Sequence, residues 1–490
     1  MAIIDKLDKE GTRLPIKIDS TSNGEYEPIP ISAVNEKANR LALDQAGEHA
    51  RKTGQSRRKF LVSSCGAASS LLAFNQANAY SNLLGGYFDV RKESALDSFS
   101  AAAQVEGEEF IFDVQGHYVN PEGDWLENVP SFARPYAGME KAACEAANGG
   151  GDRAYLNCLS GSEFIKDIFM DSDTDIMVLS FVPSTRESEP VTIEEADETR
   201  RIVSDLEGSK RLMLHGRVNP NQEGDLEGMD ELAERWDICA FKTYTQYGPG
   251  GVGFFLHDAP GIAMIERARR LGVRNICVHK GLPFGPQSYE HSQCSDIGIV
   301  AKRFPDMNFI VYHSGFVANV EEQAFAEGAG RDGIDTLIQS VIDNDVTPNS
   351  NVYAELGSTW RFLMRNPNNA AHALGKLFKY IGEDNVLWGT DSIWYGSPQD
   401  QIQAFRTFQI SEQFQENFGY TSISPELRRK VFGLNAAVPY QIDQSEIRAL
   451  TANDIVTSEK LAYQENPQPS FLTYGPKNRR EFLNFLKWGG

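Results

Sequence analysis

Three histidines and an aspartate, His117, His279, His313 and Asp391, each stand at the end of a short apolar run. The 490-residue chain holds only eight histidines, so three of them in one register with a carboxylate is a pattern that asks for a reason. Neutral imidazoles and carboxylates on converging elements are the donors that zinc and similar divalent ions take. Gln115 lies two residues before His117 and shares its face of a pleated strand. The candidate metal set is therefore His117, His279, Asp391 and Gln115, the last through a carbonyl oxygen weaker than a carboxylate. One divalent ion is expected, zinc first and manganese as the alternative. Blander readings exist for each residue taken singly: a lone strand-end histidine is commonly a hydrogen-bonded core group, and Asp391 before Ser392 has the form of a helix cap.

The elements that must position these groups follow from the pattern of the chain. Apolar runs at 110–114, 176–182, 212–218, 238–244, 275–279, 309–313, 352–356 and 386–390 read as strands. Amphipathic stretches such as 193–206, 263–271 and 334–342 lie between them. Strand and helix in alternation imply a parallel sheet, and eight repeats predict an α/β protein with a closed (β/α)₈ (TIM) barrel. The polar residues then fall at the carboxyl ends of the strands, where the loops of such a barrel build its active-site mouth.

The long loop after the first strand, residues 119–163, reads as a lid. It carries Trp125 and Arg134 as candidate substrate contacts for a planar or aromatic acid. Packing of its aromatics onto the barrel is the competing reading. Lys242, at the end of the fourth strand, is a third substrate candidate, with an ion pair to Glu355 as the structural alternative.

A resemblance joins these motifs. Residues 113–117 (Asp-Val-Gln-Gly-His), His279, residues 311–315 (Val-Tyr-His-Ser-Gly), residues 387–392 (Leu-Trp-Gly-Thr-Asp-Ser) and residues 431–436 (Val-Phe-Gly-Leu-Asn-Ala) are similar to the amidohydrolase-related family of the aminocarboxymuconate-semialdehyde decarboxylase type. The likeness spans about 112–437 and implies a one-metal barrel enzyme, either hydrolase or decarboxylase. Gln115 departs from it, since the family usually has His or Glu at that place.

Hydrolysis of a small ester, lactone or amide is the expected reaction. In it a metal-activated water gives its proton to Asp391, while His313 stabilises the oxyanion or protonates the leaving group. Decarboxylation of a small aromatic or unsaturated acid is the alternative, and an inactive barrel acting as a binding protein is the second. Four polar groups kept at strand ends argue against decay, because burying them unpaired is costly.

Residues 56–62 (Ser-Arg-Arg-Lys-Phe-Leu-Val), a modest apolar run to Phe74 and Ala77-Asn78-Ala79 read as a twin-arginine export signal. The expected organisation is a disordered segment plus signal over 1–79, cleaved after Ala79, a linker over 80–108, the barrel over 109–440 and a helical extension over 441–490. The twin-arginine translocase is then a partner, and the mature enzyme periplasmic or extracellular. The tail is expected to pack on the barrel or on a second subunit, which would make a homodimer. No run reaches the ~20 apolar residues of a membrane span. A net charge of −21 repels phosphate backbones and excludes nucleic acid as a partner. The six cysteines show no zinc or redox spacing, and whether Cys144 and Cys158 pair is left open by the sequence.

Overall fold

The computed structural model describes residues 8, 10–128, 144, 154–204, 209–283 and 289–486. Ten strands occur among them, in chain order β1 (Gly86–Phe88), β2 (Phe112–Gly116), β3 (Ile176–Leu179), β4 (Leu212–Arg217), β5 (Ala240–Tyr244), β6 (Asn275–His279), β7 (Asn308–Tyr312), β8 (Val352–Glu355), β9 (Val386–Leu387) and β10 (Phe408–Ile410). Strands β2 to β9 are parallel neighbours in sequence order. The circle is completed by Val114 N–H donating to Trp388 O (3.1 Å) and by a bridge between Gly116 and Ser392. The expected (β/α)₈ barrel is the fold.

Alternation within the strands fills the barrel. Phe112, Val114, Ile176, Val178, Ala240, Cys277, Ile310, Tyr312 and Leu387 form an inner apolar cluster. A period of two puts their neighbours outward, against helices such as Ile193–Ser204, Ala259–Leu271 and Ile334–Asp343. The inner cluster reaches up to Tyr312, and His279, His313 and Asp391 stand beyond it at the carboxyl ends of the strands.

Within the segment over 1–79 expected to be disordered chain and export signal, the described residues from 10 onward are ordered. Helix α1 (Ala33–Lys52) starts at a Ser32 cap and buries Ala38, Ala42, Ala46 and Ala50, a stripe at spacing four. It packs on α3 (Ser64–Tyr80), reached through α2 (Arg57–Val62). Phe60, Leu61, Leu71 and Phe74 are at most 1% exposed and belong to the same core cluster as the barrel's helices. Of the twin arginines, Arg57 gives its Nε–H to Glu10 O (2.8 Å), while Arg58 is buried, donates to Pro469 O and pairs with Asp8. The expected linker over 80–108 is structured as well. It contains β1, paired antiparallel to β10, and the helix Ser98–Val105.

Ahead of α1, residues 10–31 form a strap across the carboxyl ends of the strands. Residues 21–26 are all buried. The strap is fixed by Arg361, which donates to Lys17 O and to Asp19 Oδ1, and by Lys17 Nζ, which donates to Tyr395 O and Ser397 O (2.7 Å each). The C-terminal extension lies beside it. Ser22 N–H donates to Pro476 O (2.8 Å), Thr21 Oγ1 meets Thr473 Oγ1 (2.8 Å), and Tyr474 N–H donates to Trp394 O (2.7 Å). Helices Gln444–Thr451, Ile455–Gln464 and Arg479–Leu486 complete that extension. No helix among the described residues is long and apolar enough to cross a membrane.

Candidate metal centre

Four strand ends deliver the expected groups to one place. His279 closes β6, and His313 follows β7 in a turn where His313 and Ser314 both have positive φ (64° and 55°). Asp391 follows β9, also with positive φ (58°). Such backbone is costly for residues other than glycine and persists where surrounding structure imposes it, commonly at functional sites. In β2 the pairing with β3 shifts register between Asp113 and Gly116. An irregularity of this kind re-aims side chains, and here Gln115 and His117 both face Asp391.

The histidines are held for ligation. His313 gives Nδ1–H to Gly357 O (2.6 Å), and His279 Nε2 faces Leu282 O (3.3 Å). A ring nitrogen tied to a carbonyl fixes the tautomer and leaves the opposite lone pair free, as in metal-bound histidines. His313 Nε2 and His279 Nδ1 are buried and make no hydrogen bond. The rings meet edge to face at 4.6 Å, and burial holds both uncharged, with pKa values of about 4 for His313 and about 3 for His279.

Between them stands a residue the sequence did not single out. Glu25, from the strap, places Oε1 3.2 Å from His279 Nδ1 and Oε2 3.5 Å from His313 Nε2. The three donor atoms all lie within 4.8 Å of one another. Burial pushes the Glu25 carboxyl upward, opposed by the neighbouring His313. Asn23 braces the group by donating Nδ2–H to Glu25 Oε2 and to Asp391 Oδ2 (2.6 Å).

His117 and Asp391 form the adjoining half. His117 Nε2 is 3.1 Å from Asp391 Oδ1, and Gln115 Nε2–H donates to the same oxygen (2.9 Å). Ser358 Oγ–H donates to Asp391 Oδ2 (2.5 Å). Burial works against the Asp391 charge, but His117 and Ser358 hold its carboxyl below the usual range. Gln115 thus turns an N–H toward Asp391, while its Oε1 is buried without a partner. Ligation through Gln115 would need the amide to turn over.

Lys242, on β5, lies beside this cluster, near Glu25 and Asp391. Its Nζ has no hydrogen-bond partner and sits 3.4 Å from the Tyr312 ring centroid, and burial lowers its pKa to about 8. Glu355 is engaged elsewhere, accepting N–H bonds from His313 (3.0 Å) and Gly357 (2.5 Å). A Cβ on Gly389 would stand 1.6 Å from Glu355 Oε1. Gly389→Ala is therefore expected to displace Glu355 and the His313 turn it anchors. Since a misplacement near 1 Å can cost about a hundredfold in rate, turnover should fall by about that factor with the melting transition still cooperative.

The candidate substrate residues of the first loop divide. Trp125 is buried in a cluster with Tyr118, Phe164 and Trp394 and donates its indole N–H to Asn120 O (2.8 Å), so it packs the loop onto the barrel. Arg134 lies outside the described residues. Cys144 and Cys158 form a disulfide that ties the loop to its own end.

The chemistry of this donor set fits a divalent ion: buried lone pairs, fixed tautomers and carboxylates converge on one point. The family model described as amidohydrolase matches residues 169–441, which takes in β3 to β9 with His279, His313 and Asp391. The chain belongs to the amidohydrolase family. The strand-one motif and the strap lie outside the matched segment. Among solved structures, a 2,6-dihydroxybenzoate decarboxylase from Rhizobium is 14% identical, covering 68% of this chain and 99% of its own at a TM-score of 0.40. A 5-carboxyvanillate decarboxylase from Novosphingobium aromaticivorans, complexed with manganese and 4-hydroxy-3-methoxy-5-nitrobenzoic acid, is 14% identical, covering 69% and 97% at 0.42. A protein from Pseudomonas putida described as a candidate 2-pyrone-4,6-dicarboxylic acid hydrolase is 14% identical, covering 68% and 98% at 0.41. These likenesses are distant, and the fold stands on the strand order itself. No curated protein matches the sequence.

Proposed function

We propose that this amidohydrolase-family chain is a metal-dependent hydrolase of a small ester, lactone or amide. The observation that carries the reading is the convergence of His279 Nδ1 and His313 Nε2, buried and without hydrogen bonds, with a carboxylate between them. A divalent ion held there supplies Lewis acidity, polarising a carbonyl and lowering the pKa of water. The ligands named for it are His279 and His313, with His117 and Asp391 adjoining. Hydrolysis needs a group that takes a proton, and Asp391 is held ionised with Ser358 and His117 orienting its oxygens. His117, with Nε2 3.1 Å from Asp391 Oδ1, takes that proton from Asp391 and relays it toward the leaving group, returning both residues to their starting states.

One observation favours decarboxylation as a second reading. The Lys242 ammonium beside the cluster has no hydrogen-bond partner, and a buried cation without an accepting oxygen suits a carboxylate or phenolate substrate. The two are separated by incubating metal-reconstituted protein with a panel of lactones, esters, amides and hydroxylated aromatic acids. Ring opening or acid release without carbon dioxide supports hydrolysis. Carbon dioxide from an aromatic acid replaces it with the second reading.

A further inference from the structure

The strap brings Glu25 to within 3.2 and 3.5 Å of the two free ring nitrogens, with no hydrogen bond made by either nitrogen. Donors bound at about 2.0–2.1 Å in a tetrahedral shell stand roughly 3.3 Å apart, so each Glu25 oxygen is spaced from one histidine nitrogen as a fellow ligand is, and the three donors lie within 4.8 Å of one another. Two neutral imidazoles and the single charge of the adjoining Asp391 leave a dication half compensated, and Gln115 turns its N–H rather than its oxygen toward Asp391. Glu25 supplies the missing negative donor.

The carboxylate is also held as a permanent part would be. Ser22 Oγ–H donates to Tyr26 O (2.5 Å) and accepts Gly24 N–H (2.9 Å), while Asn23 Oδ1 accepts Glu25 N–H (2.9 Å). Tyr26 OH meets Tyr395 OH (3.3 Å), whose hydroxyl meets Ser358 Oγ (2.6 Å), the group that orients Asp391. The bonds that cross from strap to barrel, Asn23 to Asp391, Tyr26 to Tyr395, Lys17 to Tyr395 O and Ser397 O, and Arg361 to Lys17 O and Asp19, join buried groups that a departing strap would leave without these partners.

We infer that Glu25 is a resident carboxylate ligand of the metal centre, delivered by the N-terminal strap, and that the strap stays with the mature enzyme. This rests on the reading of His279 and His313 as metal ligands.

The test uses the full-length protein stripped of metal, together with Glu25→Ala, Glu25→Gln and His279→Ala. Each is titrated with cobalt(II) against a chelating dye, the visible cobalt spectrum is recorded, and thermal melts of the apo proteins verify folding. Losing an outer partner of a metal ligand weakens binding about 10- to 100-fold, so both Glu25 variants should lose at least that much and shift the cobalt bands. Unchanged affinity and spectrum in both, beside loss in His279→Ala, would overturn the Glu25 assignment and leave the centre standing. Tighter cobalt binding with higher activity in the Glu25 variants would also overturn it, making the strap an internal inhibitor. A wild type that takes up no cobalt would remove the centre itself. Intact mass of protein purified from cells supplies the second arm: a chain starting before residue 25 supports the inference, and one starting at Tyr80 overturns it.

Discussion

A chain shortened to begin at Tyr80 is expected to be insoluble or to melt without a cooperative transition, and to bind no metal. The deletion removes Ile16, Phe60, Leu61, Leu71 and Phe74, all at most 1% exposed. Burying one such side chain contributes about 1.5–3 kcal/mol, so these few already match the about 5–15 kcal/mol by which a protein is stable. It also uncovers the core-side faces of Ser98–Val105 and β1, which pack on α3, and strands the Arg361 guanidinium without Lys17 O and Asp19. Expression of both lengths, followed by near-ultraviolet circular dichroism and a thermal scan, measures this. A soluble, cooperatively melting product would show that residues 1–79 are dispensable, as expected of a cleaved export signal.

Asp391→Asn should lower turnover by about 10²–10⁴-fold, the usual contribution of a positioned proton acceptor. Asparagine keeps the shape and can still accept from Ser358 Oγ, but it cannot take a proton. The neighbouring Ser358→Ala removes an orienting bond to Asp391 Oδ2 and a bond to Tyr395 OH but leaves the carboxylate itself, so its effect should be smaller, about tenfold, and a full kinetic comparison separates the two. Equal losses would mean that Asp391 acts through the shape of the hydrogen-bond network rather than through its charge.

The barrel was legible because its strands are short, apolar and regularly spaced. The runs ending at Tyr244, His279 and His313 end within one residue of β5, β6 and β7. His117, His279, His313 and Asp391 were legible for the same reason, since strand ends converge in any such barrel. How they divide was not. Only geometry shows His313 beside His279, and His117 beside Asp391.

Glu25 gave no local signal. It sits in a polar, non-periodic stretch, and its place in the site is set by contacts hundreds of residues away, with Thr473, Tyr395 and Arg361 acting on its neighbours. Helix α1 did leave a trace, alanines at 38, 42, 46 and 50, but alanine carries so little hydropathy that a charged segment with such a stripe reads as solvated chain. Composition does not separate the export reading from a structural one. An apolar run after paired arginines has the same composition whether it enters a translocase or, as in α3, a protein core.

The central claim is a metal centre built on His279 and His313, and the most direct measurement is the metal content of the purified full-length protein after reconstitution with zinc or manganese. It should be made beside a variant lacking both imidazoles, His279→Ala with His313→Ala. Near-stoichiometric metal in the wild type, and almost none in the folded double variant, is the predicted result. A folded wild type that retains no metal, or a double variant that retains as much as the wild type, would contradict it.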